Sequence, residues 1–367
     1  MLLFLPFLQM KSGHHQAAEA LKATMKESYP NEEMDTIDIL HETFPRLEKV
    51  VTQTYLKWIT FAPSSYSKFF EKQFHQTSFH FKPFDLFEKK MIEQLYRIIQ
   101  QKKPTAIICT HSYPSRLVGI LKAQGKITQP LMNCLTDFFV DTVWEKQYVD
   151  GFLVPSEACR EELERTYAVE AEKIHLYGIP VHPIIQKRAF HKQNHTPHIL
   201  IAGGNLGLVE PHIVAQLQET KSRITVLCGD NVALFKALER LDLPNVTPLA
   251  YITSRYTMNA LYDDVDALIS KPGGVTVSEA LRKHIPLFVN YVLPGQEQLN
   301  LAYLEKEGLA FSLQQVRILS EVERILANPF RMHAFDLAVD RYVENLEKPE
   351  VIAELLSGHD QSVVMPL

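Results

Sequence analysis

Over most of its length this chain alternates short apolar runs with longer amphipathic stretches, a pattern that few folds can satisfy. Runs with no polar partner every second residue belong to strands buried on both faces, which occur in parallel sheets covered by helices. The expected strands of the first half are Leu2–Leu8, Met34–Ile39, Thr105–Thr110, Leu131–Thr136, Gly151–Val154 and Lys173–Tyr177. Those of the second half are His198–Ala202, Arg223–Cys228, Val246–Leu249, Ala267–Ser270 and Pro286–Asn290. The fold class is therefore α/β, with two doubly wound Rossmann-like domains. Their loop-bearing ends are expected to face each other across a cleft.

A chain of 367 residues is longer than one core usually serves, which supports two domains. The stretch 183–197 lacks apolar periodicity and reads as a linker between domain 1–182 and domain 198–330; 331–367 reads as C-terminal helices packing back across the domains. The formal net charge of −5 gives no global pull toward nucleic acid, and none is expected as a partner. Cys109, Cys134, Cys159 and Cys228 are too scattered for a disulfide framework or a zinc site, which fits a reducing, cytoplasmic setting. The apolar start, Met1–Leu8, lacks a basic flank and a cleavage site and reads as a buried strand rather than a leader. With no run of about 20 apolar residues, any membrane contact would be peripheral.

The strongest local signal is the segment from Ser270 through Lys271, Pro272, Gly273 and Gly274 to Thr276 and Glu279. A strand, a glycine turn and a helix start in succession place free N–H groups where a phosphate can sit. Lys271 adds charge, Thr276 a hydroxyl, and Glu279 a carboxylate suited to ribose hydroxyls. The glycines alone fit an ordinary chain reversal equally well. Two further glycine turns, Gly203-Gly204-Asn205 and Gly229-Asp230-Asn231, follow earlier strands, and Gln296, Glu297 and Asn300 open a later helix with groups that bond sugar hydroxyls. No Asp-x-Asp metal motif is evident, and no metal or cofactor is expected beyond the donor substrate.

In the first half, Gly13-His14-His15 follows the first strand and opens a helix, so an imidazole could take a proton there near pH 7. From Tyr55 to Lys103, Trp58, Phe69, Phe70 and other aromatics are interleaved with Lys68, Lys72, Lys82 and further lysines. That mixture suits an anionic membrane surface, although core aromatics with solvated lysines would read alike.

Taken in order, these motifs resemble the monogalactosyldiacylglycerol synthase and processive diacylglycerol glucosyltransferase family, glycosyltransferase family 28. The carriers are Cys228-Gly229 with Asn231, Lys271-Pro272-Gly273-Gly274 with Thr276 and Glu279, and Pro294-Gly295-Gln296-Glu297 with Asn300. Gly13-His14, Thr136-Asp137 with Trp144, and Gly178-Ile179-Pro180 also resemble family motifs, but Met10-Lys11-Ser12 stands where the family usually has further glycine. The resemblance implies a GT-B fold and transfer of a hexose from a UDP-sugar to a lipid hydroxyl, with inversion, at the inner face of the plasma membrane. It implies Glu279 on the ribose, Thr276 and the glycine turn on the diphosphate, and Gln296 and Glu297 on the hexose. His14 or Asp137 would be the base. A nucleotide-sugar epimerase or hydrolase, or a non-catalytic UDP-sugar-binding protein, would use much of the same equipment.

Overall fold

The computed structural model describes residues 1–8, 12–46, 85–188, 196–204, 207, 209–293, 295–313 and 317–352. The chain divides into two units, Met1–His182 with Leu346–Leu367, and Pro183–Asn345.

The first unit holds a six-stranded parallel sheet of β1 (Leu2–Leu5), β2 (Met34–Thr36), β3 (Ala106–Cys109), β4 (Leu131–Cys134), β5 (Gly151–Val154) and β6 (Ile174–Leu176), in the order β2-β1-β3-β4-β5-β6. All four residues of β1, β3, β4 and β5 are buried, as their apolar runs require, including Asn133 of β4, whose side-chain amide donates to the Glu145 carbonyl. Leu3, Leu5, Ile107 and Cys109 pack on one face and Leu2, Phe4, Ala106 and Ile108 on the other. Helices α1 (Gly13–Ser28), α2 (Ile39–Thr43), α3 (Asp85–Lys102), α4 (Ser112–Ala123) and α5 (Glu157–Tyr167) accompany this sheet. The first strand stops at Leu5, short of the expected Leu8, because Pro6 has no N–H to give the ladder.

The second unit repeats the plan with β7 (His198–Ala202), β8 (Arg223–Leu227), β9 (Val246–Leu249), β10 (Ala267–Ser270), β11 (Leu287–Val289) and β12 (Phe311–Ser312), in the order β12-β11-β10-β7-β8-β9, again all parallel. Its helices are α6 (Pro211–Gln216), α7 (Val232–Leu241), α8 (Arg255–Asp264), α9 (Gly274–Arg282), α10 (Gln296–Lys306), α11 (Ile318–Leu326) and α12 (Pro329–Glu344). Strand β9 carries Pro248, which is tolerated because β9 is an edge. The two-residue β12 is too short to leave a pattern and was not expected; Phe311 is held there by stacking on Phe288, centroids 5.1 Å apart.

The structure adds detail at two of the expected boundaries. The linker 183–197 is not loose at its start: Ile185 is fully buried, and the Arg188 guanidinium donates to the carbonyls of Lys283 (3.0 Å), His284 (2.9 Å) and Val265. The described part of the expected C-terminal helices, 331–352, divides between the units. Helix α12 belongs to the second unit, whereas Glu347 joins the first, its Oε1 accepting from Leu176 N (2.8 Å) and Arg160 (3.1 Å).

In each sheet the chain reverses its direction of strand addition once, between β1 and β3 in the first and between β7 and β10 in the second. Open α/β sheets form their ligand crevice at that reversal, beyond the carboxyl ends of the strands. The two reversals point to the loops that follow β1 and β3, and β7 and β10.

Candidate functional site

The first crevice contains His14, at the start of α1. Its Nδ1 lies 2.9 Å from the Thr110 carbonyl and 2.9 Å from the Thr136 hydroxyl. A carbonyl only accepts, so Nδ1 carries the hydrogen and Nε2 the lone pair. The Thr110 hydroxyl returns a bond to the His14 carbonyl at 2.9 Å. Loops after β1, β3 and β4 thus meet on one imidazole. Burial lowers its pKa to about 4, against a smaller raising effect of the Thr110 bond, so the ring is neutral at pH 7. The turn that delivers it includes Leu8 at φ 64, a left-handed conformation that is costly for leucine.

His111 stands against His14, ring centroids 4.5 Å apart, and sequence reasoning missed it. It caps α4, its Nδ1 accepting from Tyr113 N at 3.0 Å, so its hydrogen is on Nε2. Burial first, then the neighbouring His14 and His15, hold its pKa well below the ordinary value. Its signal was available: Thr110-His111-Ser112 follows an apolar run and opens a helix, the same pattern as at Gly13-His14. His15 bonds Ser12 at 3.1 Å instead. Asp137 directly follows the Thr136 that holds His14 and is partly buried; the pKa of the partly buried Asp141 is raised first by burial, with Asp137 adding to it. Trp144 is core.

The second crevice is built around α9. Its N-cap, Gly273, has φ −79 and ψ 132, and no side chain caps the helix or places an acid in its first turn. The first N–H groups of the helix therefore have no intrahelical or side-chain acceptor. A Cβ built on Gly273 meets nothing within 4 Å. Neither backbone conformation nor protein packing demands glycine here. Of residues 272–280, only Gly273 and Thr276 are not buried.

Around this turn the expected donor contacts separate into two groups. Lys271 lies beside the glycine loop after β7, its Cε 3.6 Å from a Cβ built on Gly204, and Gly204 (φ 67) follows Gly203. Its Nζ pairs with Glu297 Oε1 at 2.7 Å, and Glu297 Oε2 accepts from Leu293 N at 2.7 Å. Gln296 is partly exposed at the start of α10. Asn205 lies outside the described residues.

Asn300, expected to face sugar hydroxyls, is fully buried and donates to the Pro272 carbonyl at 3.0 Å. It ties α10 to the turn. Asn231 is likewise a structural tie, capping α7 through Leu234 N (2.9 Å) and donating to the Gly207 carbonyl at 3.2 Å. Gly229, at φ 55, makes the turn before that cap. Glu279 is only 4% exposed, its Oε1 paired with Arg255 at 2.9 Å and its Oε2 accepting from Tyr262 at 2.9 Å. Burial raises its pKa, against the Arg255 charge and the Tyr262 bond. A ribose would have to use the remaining lone pairs of this carboxylate. Away from the turn, Asp263 pairs with Lys283 and Asp264 with Arg223, while Asp266 accepts from His198 N.

The expected membrane residues Trp58, Lys68, Phe69, Phe70, Lys72 and Lys82 lie outside the described residues. The described end of that segment, at the start of α3, has Leu86 73% and Phe87 42% exposed beside exposed Lys89 and Lys90. Among the described residues no helix is long and apolar enough to cross a membrane.

Residues 14–181 match the model of the monogalactosyldiacylglycerol (MGDG) synthase family. The uncharacterized glycosyltransferase YkoN of Bacillus subtilis strain 168 is 34% identical over 319 residues, covering 85% of this chain and 84% of that protein. A processive diacylglycerol beta-glucosyltransferase of Bacillus cereus strain B4264 is 27% identical over 344 residues, covering 88% and 84%. Among solved structures, Acinetobacter baumannii MurG superposes with a TM-score of 0.62 over 97% of this chain and 99% of that one, at 14% identity.

Proposed function

This chain belongs to the monogalactosyldiacylglycerol synthase and processive diacylglycerol glucosyltransferase family of GT-B glycosyltransferases, and from that premise we propose that it moves a hexose from a UDP-sugar to the hydroxyl of a diacylglycerol-type lipid. The observation that carries the donor half is Gly273. A glycine that neither strain nor packing explains, on an uncapped helix N-terminus at the sheet's reversal point, leaves room for an anion to approach the backbone. Thr276 would add a hydroxyl, and Lys271, once released from Glu297, a counter-charge for the diphosphate. Glu297 and Gln296 would then be available to the hexose, and Glu279 to the ribose.

The first unit supplies the base. His14 is neutral, with its Nδ1–H fixed by Thr110 and its Nε2 free of that bond, the state a general base needs. A pKa near 4 makes a weak base, so the Asp137 carboxylate, next in sequence to the Thr136 that holds the ring, would serve to stabilise the imidazolium as it forms. The acceptor hydroxyl loses its proton to His14 as its oxygen bonds to the anomeric carbon. The bond from that carbon to the diphosphate breaks, and the departing charge settles on the α9 N-terminus. One displacement inverts the anomeric centre.

The lipid half rests on the relatives and on the apolar and basic start of α3, which suits peripheral binding to an anionic cytoplasmic leaflet. The test is incubation with UDP-glucose labelled in the sugar, with and without diacylglycerol in phosphatidylglycerol vesicles. Label passing into the organic phase only with diacylglycerol supports the reading. Free labelled sugar, or a labelled epimer, would assign a hydrolase or epimerase, and binding without turnover a sensor.

A further inference from the structure

The His14 imidazole does not stand alone in the first crevice. His111, the N-cap of α4, packs against it edge-on, with ring centroids 4.5 Å apart and planes at 65°. One short stretch of backbone holds both rings. Thr110 accepts from His14 Nδ1 through its carbonyl and returns its hydroxyl to the His14 carbonyl, and His111 is the next residue in the chain. Phe7, in the loop after β1, packs on His111 with centroids 5.0 Å apart. Rings held this closely leave both Nε2 atoms within two hydrogen bonds of one small polar group.

The backbone gives the two rings opposite tautomers. A carbonyl faces Nδ1 of His14 and can only accept, whereas the Tyr113 N–H faces Nδ1 of His111 and can only donate. Nε2 is consequently a lone pair on His14 and a donor on His111. Among the described residues neither Nε2 has a protein partner, and neither is a sealed, buried atom. After burial, His14 is the next cause that lowers the pKa of His111, so a proton taken by His14 leaves His111 neutral and its N–H in place. Proton transfer to His14 needs only one of these nitrogens and leaves the His111 N–H without a task. A donor beside a base suits an acceptor with two oxygens close together, one on the hydroxyl that loses its proton and one on the neighbouring carbon. A glyceride with one free hydroxyl carries ester oxygens at that neighbouring carbon, and a simple fatty alcohol carries none.

We propose that His111 selects the acceptor, its Nε2–H donating to an oxygen on the carbon next to the one that bears the reacting hydroxyl. The inference rests on the transferase reading above and adds a contact to it. Substitution can separate the helix cap from the donor. His111→Asn keeps an oxygen where Nδ1 caps Tyr113 N but stops short of Nε2, whereas His111→Gln places an amide N–H near Nε2 and gives up the cap. The readout is kcat/KM for dioleoylglycerol divided by that for oleyl alcohol, both in phosphatidylglycerol vesicles, a ratio that cancels losses common to the two acceptors. His111→Asn should lower this ratio roughly tenfold, as loss of one hydrogen bond to the substrate predicts, with UDP affinity unchanged. His111→Gln should retain more of the ratio and melt at a lower temperature. An Asn variant with the wild-type ratio overturns the proposal and leaves His111 as a helix cap. Equal loss of the ratio in both variants overturns it too, because the ring rather than its N–H would then matter. A wild-type chain that glucosylates neither lipid refutes the transferase reading, and this inference with it.

Discussion

Replacing Gly273 by alanine separates the two purposes a glycine at this turn can serve. At φ −79 an alanine is unstrained, and its Cβ would meet no protein atom within 4 Å. Narrowing the unfolded ensemble should then stabilise the fold by about 0.4–1 kcal/mol, a rise of roughly 1–4 °C in the melting temperature of a unit this size. The same methyl would occupy the space in which a diphosphate approaches the α9 backbone. Loss of one charge-assisted bond there, about 2 kcal/mol, weakens UDP binding roughly thirtyfold. Gly207→Ala is the contrasting control: its Cβ would lie 1.8 Å from the Cys228 carbonyl at φ 56, and it should cost about 3 kcal/mol or more. Calorimetry with UDP and thermal melts read both effects. A Gly273→Ala protein with a higher melting temperature and undiminished UDP affinity would remove the diphosphate from this turn, because the glycine would then have no ligand to explain it.

His14→Ala should leave UDP affinity near wild type and slow transfer roughly 100-fold, by calorimetry and initial rates; if His15→Ala does this instead, the base is misassigned. Asn300→Ala strands the buried Pro272 carbonyl, so stability should fall by about 1–3 kcal/mol and UDP affinity with it, read by urea melts and titration. For His14 the folded pKa, about 4, lies below the unfolded value of 6.5, so its contribution to stability is complete above pH 6.5 and is lost as pH falls from 6.5 toward 4. Urea midpoints of His14→Gln should accordingly depend less on pH across that window than those of the wild type.

What was legible in the sequence was whatever burial writes into consecutive residues. Strands buried on both faces left largely apolar runs at Leu2–Leu5, Leu131–Cys134 and His198–Ala202, whereas β12, two residues paired to β11 with Phe311 stacked on Phe288, left none. The turns were legible for the same reason, since glycine and a helix start recur where β10 meets α9. What residue type could not show was the direction in which a polar side chain points. Asn300 and Asn231 carry the groups a sugar site needs, yet both direct them to loop carbonyls and a helix cap. Glu279 and Glu297 are in the expected neighbourhood but engaged with Arg255, Tyr262 and Lys271. His111 escaped notice because only the strand order β1-β3, a long-range fact, brings it beside His14. Arg188 looked like linker because its three carbonyl partners lie 77 to 96 residues away in sequence.

The proposed chemistry is a single displacement by a hydroxyl deprotonated at His14, and it fixes the stereochemistry of the product. The anomeric configuration of the lipid made from UDP-α-glucose can be read by proton NMR from the coupling between the first two ring protons of the transferred sugar. Inversion predicts a β-linked glucosyl lipid, formed by the wild type and nearly absent with His14→Ala. An α-linked product would contradict this mechanism, because retention requires either a covalent sugar intermediate or attack from the face the diphosphate leaves.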